Sequence, residues 1–133
     1  MIFLDTSFIV GYKIENDEHH ENAKEAMKRI SEGIYGRPVI SDYIFDEAVT
    51  VIFGKSKKLL LGIETGEQLR NSVEILKIDD FLFEETWEIF KRQKNTNFSF
   101  TDCTILSLMK KMKIINLATF DEKFKEIKEI NVI

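Results

Sequence analysis

Apolar and polar positions along the chain follow two rhythms. Ile2-Phe3-Leu4, Pro38-Val39-Ile40, Ile75-Leu76-Lys77-Ile78 and Ile114-Ile115-Asn116-Leu117-Ala118-Thr119-Phe120 are short, nearly unbroken apolar runs. Such runs suit strands buried on both faces, as in a parallel sheet covered by helices. Between them, apolar residues recur at the three-and-four spacing of a helix face. After Ser7, Phe8 to Tyr12 predict a turn or two of helix. Asp17 caps a helix to about Ile30, with Ala23, Ala26, Met27 and Ile30 on its apolar face and Gly33 and Gly36 at its end. Ser41 or Asp42 caps a helix to about Phe53 that turns Ile44, Phe45, Ala48, Val51 and Ile52 inward.

Ser56 caps a further helix with Leu59, Leu60 and Ile63 on its apolar side, and Gly66 breaks it before a short helix from Gln68 to Val73. Asp79-Asp80 reads as a turn. A helix from about Phe83 to Phe90 follows, with Trp87 and Phe90 inward. Ser99 or Thr101 caps a helix whose apolar side carries Ile105, Leu106, Met109 and Met112. Phe124 and Ile127 start a short helix, and Ile130 to Ile133 form an edge strand. Strands alternating with helices predict an α/β fold with a parallel sheet.

Four carboxylates fall where this pattern makes them informative. Asp5 stands where the first strand stops, and in open α/β sheets ligands bind at the strands' carboxyl ends. Asp121 repeats the arrangement after the late strand, although it also suits a simple cap for Glu122 to Lys128. Asp102 precedes Ile105, Leu106, Met109 and Met112, which puts it on the buried stripe. A charge there has to be paired, hydrogen-bonded or metal-bound, or else it takes up a proton. In the helix after the second strand, Glu47 lies at the margin of the apolar stripe and Asp46 further round. Either carboxylate also serves to match the helix dipole.

The chain has 133 residues, of which 44% are hydrophobic, eleven are Phe, six Gly and one Pro. That is enough for one compact domain that buries roughly two-thirds of its unfolded surface. No apolar run approaches the roughly twenty residues that cross a bilayer, and the chain opens on a strand, so a cytoplasmic protein is expected. The single cysteine, Cys103, excludes an internal disulfide and a thiolate zinc cluster. A net charge of −4 argues against holding nucleic acid by bulk electrostatics, though not against an acidic metal pocket. Lysine clusters at 55–58, 91–94 and 110–113 read as solvated helix faces. His19 and His20, adjacent on a helix, point about 100° apart and so do not share an ion; a surface or hinge role is expected.

Taken together, Leu4-Asp5-Thr6-Ser7, Glu47, Ser99-Phe100-Thr101-Asp102 and Thr119-Phe120-Asp121 resemble the signature of PIN domains, and among these the VapC-like toxins of toxin–antitoxin pairs. The resemblance spans nearly the whole chain. It implies a three-layer α/β/α fold with a central parallel sheet of about five strands in one domain, and a magnesium- or manganese-dependent ribonuclease whose products end in 5′-phosphate and 3′-hydroxyl. It further implies that Asp5, Glu47, Asp102 and Asp121 form the acidic metal site. Thr6 or Ser7 would orient Asp5 or a water, and Thr101 or Ser99 would do similar work beside Asp102. Phosphodiester hydrolysis supplies a reason for such a set, since an oxygen-bound divalent ion neutralises phosphate and activates water. Carboxylates without His or Cys suit hard magnesium or manganese rather than zinc.

Competing readings are an Asp-nucleophile phosphatase, whose usual second Asp is here Ser7, a receiver-type domain, and a silent PIN-like module that only binds protein. The apolar excess in Ile44 to Phe53 and Lys55 to Ile63 points to a homodimer, to which the resemblance adds a small antitoxin. Repulsion within the metal-free acidic set predicts raised carboxylate pKa values, and a higher melting temperature for Asp102→Asn.

Overall fold

The computed structural model describes Met1–Ile133. Its sheet has five short strands, β1 (Ile2–Leu4), β2 (Pro38–Ser41), β3 (Glu74–Leu76), β4 (Asn116–Ala118) and β5 (Asn131–Val132), in the order β3-β2-β1-β4-β5. Every neighbouring pair is parallel. Ile2 pairs with Pro38 on one side and Asn116 on the other, so β1 is central. Ile2, Phe3 and Leu4 are all buried, as an apolar run covered on both faces requires.

The helices are α1 (Thr6–Lys13), α2 (His20–Ser31), α3 (Asp42–Ser56), α4 (Leu59–Ser72), α5 (Asp80–Lys91) and α6 (Phe100–Met112), followed by a 3-10 turn over Glu122–Glu126. They sandwich the sheet in three layers, with α1 against α2 and α3, α3 against α4, and α5 against α6. The core runs through β1, β2 and β4 into Phe8, Ile44, Ile52, Ile105 and Phe124. No helix is long and apolar enough to cross a membrane.

Several elements differ from the sequence reading for identifiable reasons. Asp17 does not cap α2 directly: its carboxylate accepts from His19 N at 2.9 Å in the turn before the helix. Gly66 does not break a helix, and α4 runs unbroken through it. A Cβ at Gly66 would meet Phe45 and Val49 at 3.4 and 3.5 Å, so this glycine lets α4 lie close on α3. Asp79 is a cap rather than a turn residue, accepting from Leu82 N, and α5 therefore starts earlier than Phe83. That start rotates Leu82 and Thr86 inward and leaves Trp87 and Phe90 exposed. Leu59, Leu60 and Ile63 are likewise exposed, because α4 packs through Gly62, Thr65, Gly66 and Leu69.

Candidate active site

Where β1 stops, Asp5 takes an extended conformation and caps α1, its Oδ1 accepting from Thr6 N at 2.7 Å. Its Oδ2 accepts from Ser7 Oγ at 2.8 Å and from Thr119 Oγ1 at 2.7 Å, across the junction of β1 and β4. The two hydroxyls also tie down the next turn: Phe120 N donates to Ser7 Oγ and Asp121 N to Thr119 Oγ1, both at 3.0 Å. A carboxylate at the centre of the sheet edge is thus held by three donors.

Burial, with only 5% of the residue exposed, pushes the Asp5 carboxyl above its ordinary range. The Thr119 and Ser7 hydroxyls and Thr6 N pull it back, while the nearby Asp102 charge adds to the rise.

Asp102 sits at the third position of α6, in a capping box with Ser99. Ser99 Oγ accepts from Asp102 N at 3.0 Å, and Asp102 Oδ2 accepts from Ser99 N at 2.9 Å. Ser99 rather than Thr101 therefore positions Asp102. Asp121 caps the 3-10 turn by accepting from Lys123 N. Glu47, on α3, faces the same cleft, whereas Asp46 is exposed outside it. Cys103, beside Asp102, is buried, and burial with the Asp102 charge pushes its thiol up to about 11, which leaves it inert.

Asp5, Glu47, Asp102 and Asp121 all line one open cleft of about 370 Å³, together with Thr6, Ser7, His19, Lys55 and Phe120. They share the cleft without closing on a point, and no three acidic, His or Cys side chains are near enough to hold one ion. An internal cation already serves two of them. Lys123 Nζ lies 3.4 Å from both Asp102 Oδ2 and Asp121 Oδ2. Although burial opposes its charge, those two carboxylates hold its pKa above the usual lysine value.

The PIN domain family model matches residues 2–130. The chain belongs to the PIN domain family. Among curated relatives of this PIN domain, a VapC ribonuclease of Archaeoglobus fulgidus is 28% identical over 126 residues, covering 91% of this chain and 77% of that protein. The 23S rRNA-specific endonuclease VapC20 of Mycobacterium tuberculosis is 27% identical over 126 residues, covering 93% and 92%. The crystal structure of VapC20 from Mycobacterium tuberculosis, described as a sarcin-ricin loop cleaving toxin, superposes with a TM-score of 0.84 at 24% identity, over 96% of this chain and 95% of that one. VapBC2 from Rickettsia felis, solved bound to a DNA fragment from its promoter, gives a TM-score of 0.70 at 20% identity, over 100% and 98%. These superpositions show the three-layer fold.

The donor set of this PIN domain fits a hard divalent cation. Its four acidic side chains offer hard carboxylate oxygens, and Thr6 Oγ1, buried on the cleft wall, has no hydrogen-bond partner of its own. Sequence reasoning missed four members of the site. Thr119 was read as strand and as part of the Thr119-Phe120-Asp121 motif with no role for its hydroxyl, though that hydroxyl two residues before Asp121 mirrors Ser7 two residues after Asp5. Lys55 was read as solvated charge, and Lys123 was given no role. His19, expected at the surface, stacks on Phe120 with ring centroids 4.3 Å apart at the cleft rim.

Proposed function

We propose that this PIN domain is a metal-dependent endoribonuclease, the toxin of a VapBC-type toxin–antitoxin pair acting in the cytoplasm, with Asp5, Glu47, Asp102 and Asp121 as its catalytic and metal-holding residues. One observation carries the reading: four carboxylates from the ends of β1 and β4, from α3 and from the start of α6 line a single cleft. The family and its VapC relatives, named as a ribonuclease and an rRNA endonuclease, support it.

Magnesium or manganese bound there supplies neutralisation of the phosphate charge and eases deprotonation of water. The chain's own residues do the rest. Asp5 is pre-set by Thr6 N, Ser7 and Thr119, so its geometry is fixed before substrate arrives. Glu47 makes no hydrogen bond or ion pair and is free to take the proton of the attacking water. That water's oxygen bonds to phosphorus as the bond to the 3′ oxygen breaks, and the departing 3′ oxygen takes a proton from solvent, leaving 5′-phosphate and 3′-hydroxyl ends. Lys55 on the cleft wall meets the phosphate backbone, and the exposed edge of the His19–Phe120 stack receives an unpaired base. Single-stranded or loop RNA fits because its bases and phosphates are free to enter.

Purified protein should cleave single-stranded RNA in manganese or magnesium and lose the activity in EDTA. Equal cleavage in EDTA, or none with any RNA in manganese, rejects the proposal. Calorimetric titration with manganese separates the nuclease from a silent binding module, which gives no heat. The phosphatase reading fits this site poorly, since Ser7 stands where that chemistry has its second Asp, two residues after Asp5.

The partners of this reading are a second copy and a small antitoxin. Exposed apolar side chains cluster in two places, Phe53, Leu59, Leu60 and Ile63 along α3 and α4, and Phe83, Trp87 and Phe90 on α5 beside Phe100. A homodimer covers one and the antitoxin the other. Light scattering at micromolar concentration should give a dimer mass, returned to monomer by one of Leu60→Glu and Trp87→Glu. A monomer mass for the unaltered protein overturns the dimer.

A further inference from the structure

Lys123 is the one cation bridging two of the four cleft carboxylates. Its Nζ is 3.4 Å from Asp102 Oδ2 and 3.4 Å from Asp121 Oδ2, and it also donates to Asn97 O at 3.2 Å. The Phe98 ring lies below it, with the centroid 5.7 Å away. The contacts with Asp121 and Asp102 differ in kind. Asp121 Oδ2 has Lys123 Nζ as its sole partner, whereas Asp102 Oδ2 is shared with Ser99 N. On an unbranched four-carbon stem, and with its side chain 36% exposed, the ammonium is free to leave the carboxylates without moving the backbone.

We propose that Lys123 is a built-in counter-cation that competes with the divalent ion for Asp102 and Asp121 and so sets the metal concentration at which the cleft loads. The inference rests on the reading that these carboxylates hold the metal. Without metal, the ammonium neutralises an acidic pair that would otherwise repel. When a divalent ion takes the pair, two like charges cannot share the space, and Lys123 gives up both carboxylates while keeping Asn97 O and the Phe98 face. The energy of breaking the two ion pairs is subtracted from the binding of the metal, so affinity is lower than four carboxylates alone would give. Magnesium then binds only near the concentration at which it displaces the lysine, and an empty site stays charge-balanced.

The test uses manganese chloride alone, titrated by calorimetry into the chelator-stripped protein. Lys123→Met keeps the stem and removes the charge; Lys123→Arg keeps a cation. Lys123→Met should bind manganese roughly tenfold more tightly, since the ion pairs it removes are partly exposed and screened by solvent. Lys123→Arg should stay near the unaltered protein. In thermal melts, Lys123→Met should be less stable than the unaltered protein in EDTA and gain more from manganese. Should Lys123→Met not fold without metal, it is purified with manganese, and its rate of metal loss to excess chelator is compared with the unaltered protein; slower loss is expected. Equal or weaker manganese binding, or equal or faster loss, overturns the competition and leaves Lys123 as a brace for Asp102 and Asp121. That failure is distinct from failure of the nuclease reading, in which neither the unaltered protein nor Lys123→Met gives heat with manganese.

Discussion

Asp5→Asn should melt higher than the unaltered protein in EDTA while losing RNA cleavage by roughly a thousandfold or more. The carboxyl of Asp5 is buried and held above its reference value of 3.8, with burial the main cause and Asp102 adding to it. The native state therefore binds its proton more tightly than the unfolded chain does. Stability falls as pH rises from about 3.8 through the raised native value, and above that window the ionised group is a constant cost. Asparagine stays neutral at nearly the same shape. Its amide oxygen keeps the Thr6 N bond, and the Ser7 and Thr119 hydroxyls rotate to accept from its amide. The gain should be about 1 kcal/mol at neutral pH, or roughly 3 to 5 °C for a chain of this size. It should shrink to nothing as pH drops below the reference value. Manganese should stabilise the unaltered protein and leave the variant unmoved. A variant that melts lower in EDTA at neutral pH, or keeps the manganese shift, would remove Asp5 from the centre of the site.

Thr119→Val should be the most destabilising single change at the cleft that leaves every carboxylate in place. It removes the 2.7 Å donor to Asp5 and the 3.0 Å acceptor of Asp121 N together. Losing a hydrogen bond to a charged group costs about 1.5–3 kcal/mol, and an orphaned partly buried N–H costs about 1–3 more. Even at the low end the sum is about 2.5 kcal/mol, enough to lower the melting temperature by roughly 10 °C. The methyl of valine adds no compensation in a polar corner. Asp5 is then less firmly set and Asp121 is free to swing, so manganese binding and cleavage should both weaken. Thr119→Ser keeps the hydroxyl and should restore most of each. If Thr119→Val melts within a degree of the unaltered protein, the hydroxyl bridge between β1 and β4 carries no weight.

The positions of all four carboxylates were legible because each sits at a boundary that the hydrophobic pattern marks: the end of a strand for Asp5 and Asp121, the start of a helix for Asp102, the edge of a stripe for Glu47. Their compensation was not legible. Sequence reasoning located the cost of charge at Asp102, on a buried stripe. In the structure Asp102 has Ser99 N and Lys123 for partners, and Asp5 is the group that burial raises. Asp102→Asn therefore has less to relieve than its helical position suggested. The pairing with Lys123 joins α6 to a turn 21 residues later, a distance over which no local periodicity speaks. Helix facing failed in a similar way. The apolar side of α4 was read from its leucines, but the helix lies on α3 through its glycines, which a pattern of large side chains cannot register. On α5 an unread cap at Asp79 shifted the start and left the aromatic residues outward.

The central place of β1 has a consequence for the order in which the protein becomes competent. Its first residue made is paired on one side with Pro38 once the early part of the chain is out, yet its other side waits for Asn116 to Ala118. The hydrogen bond that finishes Asp5 comes from a residue 114 positions later. During synthesis, Asp5 and Glu47 therefore spend most of their time beside an open sheet edge, with neither Asp102 nor Asp121 opposite them. Until Asn116 to Asp121 has been made, a growing chain has neither the β4 partner of β1 nor the Thr119 hydroxyl and Asp121 carboxylate, so the acidic cleft closes only with β4.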